Sequence, residues 1–124
     1  MAKRKGLSYE EKIIKALEEL PCPLEDKKHR ILIYFINDRA ISNKSRFEHI
    51  SLERHELSTK DFKRMIKKIN NSILKKDLER KNTYNLYIKR NNFDDDYIKI
   101  SLEIDYKKSN KAIVKTMFIT KNIK

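Results

Sequence analysis

Glycine occurs once in the 124 residues, at Gly6, which excludes a glycine-rich loop able to wrap backbone N–H groups around a nucleotide's phosphates. The single cysteine, Cys22, cannot close an internal disulfide and leaves no thiolate set for zinc, so a reducing compartment, the cytoplasm, is the expected location. Proline occurs only at Pro21 and Pro23, where it marks the end of a helix rather than a low-complexity linker. The longest apolar run, ILIYFI at 31–36, is far short of the roughly 20 residues that a membrane-spanning helix needs. The basic start MAKRKG is followed by LSYEEKIIKALEEL and not by a continuous apolar stretch, so no secretory signal is expected. Acidic residues are in deficit, 18 against 30 lysines and arginines, giving a net charge of +12 and a pI near 9.8. A polyanion is therefore the expected partner, and no membrane: nucleic acid ranks first because no segment joins a basic helix to the broad apolar face that an anionic bilayer requires.

Hydrophobic and charged residues each make up 39% of the chain, but the apolar ones are periodic, which argues for one folded domain and against disorder. Ser8 and Glu11 have capping-box spacing, and Ile13, Leu17 and Leu20 follow at helical intervals up to Pro21. RILIYFIN (30–37) is uniformly apolar and its period does not choose between helix and strand; a buried helix is the expectation. From about residue 45 to 56 a helix would place Phe47, Ile50, Arg54 and Leu57 on one face. Ser58 and Asp61 cap a further helix with Phe62, Met65, Ile66 and Ile69 as its stripe and Lys60, Arg64, Lys67 and Lys68 outside it. The period then changes to two in TYNLYIKR (83–90), YIKISLEID (97–105) and KAIVKTMFIT (111–120), predicting an antiparallel meander. The expected class is α+β: N-terminal helices followed by a three-stranded antiparallel sheet, with room for a fourth strand, packed against them.

Candidate chemistry is concentrated at two places. RFEHISLERHELS (46–58) holds two of the three histidines, His49 and His55, with Arg54 beside the second. Six residues apart on a helix, the two imidazoles point about 120° away from each other, which does not suit a shared metal, and Asp94, Asp95 and Asp96 lack the fixed positions of a calcium loop; no metal site is expected. Metal-free RNA cleavage asks only for an imidazole as base or acid and for cations around the phosphorus, types that His49, Arg54 and His55 supply. Arg54 on an apolar stripe must snorkel, meet a carboxylate such as Glu103 or Asp105, or reach into a cleft. The second place is AIVKTMFI. Strict alternation groups Lys115 with Ile113, Met117 and Ile119, and Thr116 with Val114, Phe118 and Thr120, so a polar residue interrupts whichever face is buried. On the open face it would meet Tyr87 and Lys89 of the first meander strand.

Taken in order, FEHISLERHELSTKDFKRMI, three strands and the closing IVKTMFIT resemble the small metal-independent ribonucleases of the barnase/EndoU/colicin/RelE-like fold, in particular the phage-associated branch and BrnT-like toxins; the likeness covers residues 46–121. The matching pieces are His49-Ile50, Arg54-His55, Leu57-Ser58 and Lys115-Thr116-Met117-Phe118, with the interval between the first two one residue longer than the common form. The resemblance implies a nuclease domain at 43–124 preceded by an N-terminal helical extension at 1–42. It implies a cytoplasmic endoribonuclease, toxin-like or encoded by a phage or other mobile element, that cleaves tRNA or another structured RNA without a cofactor. His55 would act as general base or acid and His49 as its complement, while Arg54 and Lys115 neutralise the phosphorane. Thr116, Tyr87 and Lys89 would position the phosphate, and Lys63, Arg64, Lys67 and Lys68 would hold the RNA backbone. A cognate antitoxin, immunity protein or host nucleoprotein is the implied protein partner. Two other readings stay open: a winged-helix-like module that binds nucleic acid without cleaving it, and a mobile-element inhibitor of a host nucleoprotein.

Overall fold

The computed structural model describes residues 8–37, 39–41, 44–52, 57–90, 96–104, 109–121 and 123. Helix α1 (Tyr9–Glu18) begins at Ser8, whose hydroxyl accepts from the Glu11 N–H at 3.2 Å while the Glu11 carboxylate accepts from the Ser8 N–H at 2.9 Å. Strands β1 (Leu24–Asp26), β2 (Ile31–Tyr34), β3 (Arg39–Ile41) and β4 (Lys44–Ser45) follow, then helices α2 (Arg46–Leu52) and α3 (Thr59–Lys68). A 3-10 turn (Ile69–Asn71) leads into β5 (Ile73–Lys76), β6 (Thr83–Lys89), β7 (Tyr97–Ile104) and β8 (Lys111–Thr120).

The expected α+β class holds, but the sheet does not have three or four strands. It has six, in the order β1-β2-β8-β7-β6-β5, and is mixed because β2 runs parallel to β8 while every other pair is antiparallel. It curls into a half-barrel. The meander at 83–120 is where the alternation put it; the additional strands come from segments whose pattern was ambiguous or weak.

RILIYFIN contains β2 and not a helix. As an inner strand it is covered on both sides, Ile31 and Ile33 fully and Leu32 and Tyr34 partly, and two-sided burial erases alternation. Its hairpin with β1 turns through Lys27–Arg30, where Arg30 takes a left-handed φ of 59° and Asp26 accepts from the Lys28 and His29 N–H groups. Strand β5 is an edge strand in which Ile73, Lys75 and Lys76 are exposed, so it has almost no apolar signature, and its lysines discourage edge-to-edge pairing.

All three helices lie on one face of the sheet. Ile13 and Leu17 of α1, Phe47 and Ile50 of α2, and Phe62 and Met65 of α3 join Leu86, Ile88, Ile98, Ile100, Leu102, Val114, Met117 and Ile119 in a single core. Segments on both sides of residue 42 contribute strands to the sheet and side chains to this core. The other sheet face carries what the core rejects: Asn85 and Tyr87 of β6, Lys99, Ser101 and Glu103 of β7, and Thr116 and Phe118 of β8. That face is where the functional residues collect.

Candidate active site

The conflict in AIVKTMFI is resolved by a β-bulge. Ser101 pairs with Thr116 and Leu102 with Val114, so Lys115 has no partner in β7 and two residues of β8 stand where a regular strand has one. Ala112 and Val114 before the bulge, and Met117 and Ile119 after it, therefore all face the core despite their opposite parity. Lys115 and Thr116 are both released from it.

The bulge also anchors α2. Arg46, its first residue, donates from Nη1 to the carbonyl oxygen of Lys115 at 3.0 Å, which satisfies an acceptor that the interrupted ladder leaves over. The start of α2 is fixed from two further directions. Ser45 and Glu48 form a reciprocal cap at 3.2 and 3.3 Å, and the Phe47 N–H donates to Asn37 Oδ1 at 3.0 Å. With Arg46 tied to β8 and Phe47 and Ile50 held in the core, His49 falls three residues from Arg46 on the helix face that looks over the bulge.

These side chains wall a cleft of about 660 Å³. Arg46 and His49 come from α2, Lys99 and Ser101 from β7, and Lys115, Thr116 and Phe118 from β8; Asp77, Glu79 and Arg80 close it from the β5–β6 turn. Four cationic side chains thus face two carboxylates around one imidazole. The Lys99 ammonium stands 5.4 Å from the Phe118 ring and 5.8 Å from the Tyr87 ring, held at the centre of the sheet face by cation–π attraction. Lys115 Nζ is 3.8 Å from Glu103, a surface pair too loose and too exposed to fix the lysine. The Thr116 hydroxyl is buried with no hydrogen-bond partner among the described residues.

Of the residues singled out in the sequence, His49, Lys115 and Thr116 meet in this cleft. Arg54 and His55 lie outside the described residues, as do Asp94, Asp95 and Asp105. Tyr87 lies on the same sheet face but in an adjoining pocket, and Lys89, exposed at the end of β6, does not line the cleft. The basic residues of α3 do not line it either. Lys63 borders a groove between α1 and α3. Arg64 is engaged in structure: with Arg90 it surrounds the buried Asp61 carboxylate at 2.9–3.0 Å, and Asp61 in turn accepts from the Ser58 N–H at 2.8 Å.

Three cationic contributors were missed. Arg46, Lys99 and Arg80 sit on a helix start, a strand and a turn with nothing in local spacing to separate them from other surface cations; only the strand register across β6, β7 and β8 would have placed Lys99 between two rings. The third histidine, His29, has a different job. Its Nδ1 is 2.7 Å from the buried Asp26 carboxylate, which also accepts from the Ser72 hydroxyl at 3.3 Å. Ser72 meets the same ring nitrogen, at 3.5 Å, so imidazole and hydroxyl both serve Asp26 and form no nucleophilic relay.

Among the described residues no group of three or more histidine, cysteine, aspartate and glutamate side chains comes together as a metal cage, and no helix is long and apolar enough to cross a membrane. No protein-family model, curated protein sequence or solved structure matches the chain.

Proposed function

We propose that this protein is a metal-independent endoribonuclease of the barnase/EndoU/colicin/RelE-like kind, a toxin-like or phage-encoded protein acting in the cytoplasm on tRNA or another structured RNA. The observation that carries the reading is that His49, Lys115 and Thr116, chosen from separate stretches of sequence, line one cationic cleft with Lys99 and Arg46. A 2′-hydroxyl attacking its own 3′-phosphorus loses a proton, forms the new P–O bond and breaks the bond to the 5′-oxygen, which must gain a proton. The products are a 2′,3′-cyclic phosphate and a 5′-hydroxyl.

An imidazole can serve as base or as acid and so can carry either proton, and His49 is the imidazole of the described cleft. Lys115 and Lys99 supply the positive charge that the pentacoordinate phosphorus gathers around itself, and the Thr116 hydroxyl offers a donor in want of an acceptor. Arg46 holds helix and bulge in register, which keeps His49 and Lys115 at one distance from the phosphorus. Arg54 and His55 enter this reading through the motif alone, as a further phosphate ligand and the complementary proton-transfer group.

The test is incubation of purified protein with end-labelled tRNA in excess chelator, beside His49→Ala. The parent should produce fragments ending in cyclic phosphate, and the variant should cleave about 10²- to 10⁴-fold more slowly. If parent and variant both retard the RNA in a gel and neither cuts it, the binding-module reading replaces this one.

A further inference from the structure

Beside the cleft, over the same sheet face, lies a second concavity of about 480 Å³ that shares Asp77, Glu79 and Lys99 with it. We propose that this pocket takes one nucleobase of the bound RNA and prefers a base with an exocyclic amino group, so that cytosine or a purine is favoured over uracil. The proposal rests on the ribonuclease reading only for RNA as the ligand; the chemistry of the pocket is its own.

Tyr87 forms part of the pocket lining, is 1% exposed, and its hydroxyl has no hydrogen-bond partner among the described residues. Folding leaves such a group unpaired at a cost unless something fills its place, so a buried orphan hydroxyl at a pocket wall points to a ligand atom. A base ring nitrogen or carbonyl next to the phenol would accept from it.

Asp77 supplies the discrimination. Its Oδ1 accepts from the N–H groups of Glu79 at 2.9 Å and Arg80 at 3.1 Å, and its Oδ2 from Asn85 Nδ2 at 3.3 Å. These bonds, the Glu79 N–H foremost, hold its carboxyl below the ordinary carboxylate range. Asn85 is itself oriented by the Ser101 hydroxyl, which donates to Asn85 Oδ1 at 2.8 Å, so that its NH2 is turned to Asp77. The group facing the pocket is therefore a positioned, ionised acceptor that can donate nothing. An amino group on cytosine, adenine or guanine donates to such an oxygen; uracil presents carbonyl oxygens on either side of a single N–H and repels it.

Leu78 is the third observation. At the tip of the turn it is 96% exposed, an uncovered apolar side chain on the lip of the pocket. The flat face of a base is a surface that would cover it. Lys99, common to both concavities, then stands where base and phosphate of one nucleotide join.

The experiment is titration of the full-length protein with cytidine 3′-phosphate, uridine 3′-phosphate and inorganic phosphate, none of which has a 5′-oxygen to expel. Cytidine 3′-phosphate should bind about 5- to 10-fold more tightly than uridine 3′-phosphate. Tyr87→Phe should weaken both nucleotides and leave inorganic phosphate unchanged, and Asp77→Asn, which keeps an oxygen acceptor for the turn, should abolish the preference. Equal affinity of the parent for the two nucleotides, no binding of either at millimolar concentration, or a Tyr87→Phe effect of the same size on inorganic phosphate overturns the pocket assignment. A clear cytidine preference without any cleavage of tRNA supports the pocket and rejects the nuclease; cleavage without the preference does the reverse.

Discussion

Removing Lys115 altogether should leave the protein folded and its cleft disabled. Because Lys115 is the extra residue of the bulge, deletion would bring Thr116 into register after Val114 with Ala112, Val114, Met117 and Ile119 still facing the core, now in unbroken alternation. What is lost is the Arg46 bond to the Lys115 carbonyl, about 0.5–1.5 kcal/mol at its half-exposed site. The Lys115–Glu103 pair, its side chains 43% and 52% exposed, adds at most about 1 kcal/mol. A restored ladder bond returns about 0.5–1.5 kcal/mol. The net change should lie within about 1.5 kcal/mol of zero, a shift of several degrees at most in thermal unfolding followed by circular dichroism. RNA cleavage, deprived of an ammonium at the phosphorus and of the link that positions His49, should fall by about 10²-fold or more. Deletion of Val114 is the control: it would draw Lys115 into a place that is 1% exposed, and the protein should not fold. A Lys115 deletion that unfolds the chain would show the bulge to be required by the sheet, and one that cuts RNA at the parent rate would show it to be irrelevant to the cleft; either result refutes the argument.

Replacing Asp61 by alanine leaves the Arg90 and Arg64 guanidinium groups without the carboxylate they share and should cost about 3–5 kcal/mol in urea unfolding; a loss below 1 kcal/mol would mean that solvent screens the cluster. The pH dependence of the β5–β6 turn follows from Asp77. Its folded-state pKa is depressed, so its contribution is fully present above the unfolded value of about 3.9 and disappears as pH falls through the lower folded value. The Glu79 and Arg80 amide resonances should therefore hold steady down to about pH 4 and move below it, and should lose that transition in Asp77→Asn; an unchanged transition in the variant would assign it to another carboxylate.

The meander, the caps at Ser8 and Ser58 and most of the core were legible because each is written locally. A strand with one face in water alternates, and a helix start needs an acceptor three residues from its partner. The parallel pairing of β2 with β8 was not legible, since it joins residues about 80 positions apart and nothing in ILIY states which neighbour will cover its second face. Strand β5 escaped for the opposite reason: an edge strand kept soluble by Lys75 and Lys76 looks like any charged loop.

The cleft divides along the same line. Lys115 and Thr116 were visible as polar residues where the pattern called for apolar ones, and His49 as one of two histidines in one short helical stretch, whereas Lys99 keeps the pattern of β7 faultlessly and gains its meaning from Tyr87 and Phe118 on the strands to either side. A break in periodicity is thus the more informative sign, provided that it is read as geometry. Two polar residues in succession within a strand cannot both be accommodated by alternation, and the backbone answers by inserting a bulge, which frees a carbonyl for Arg46 and turns an ammonium and a hydroxyl toward one side. The Lys115-Thr116 pair does more than furnish the cleft with side chains: it sets the register at which α2 docks on β8, and through that the place of His49.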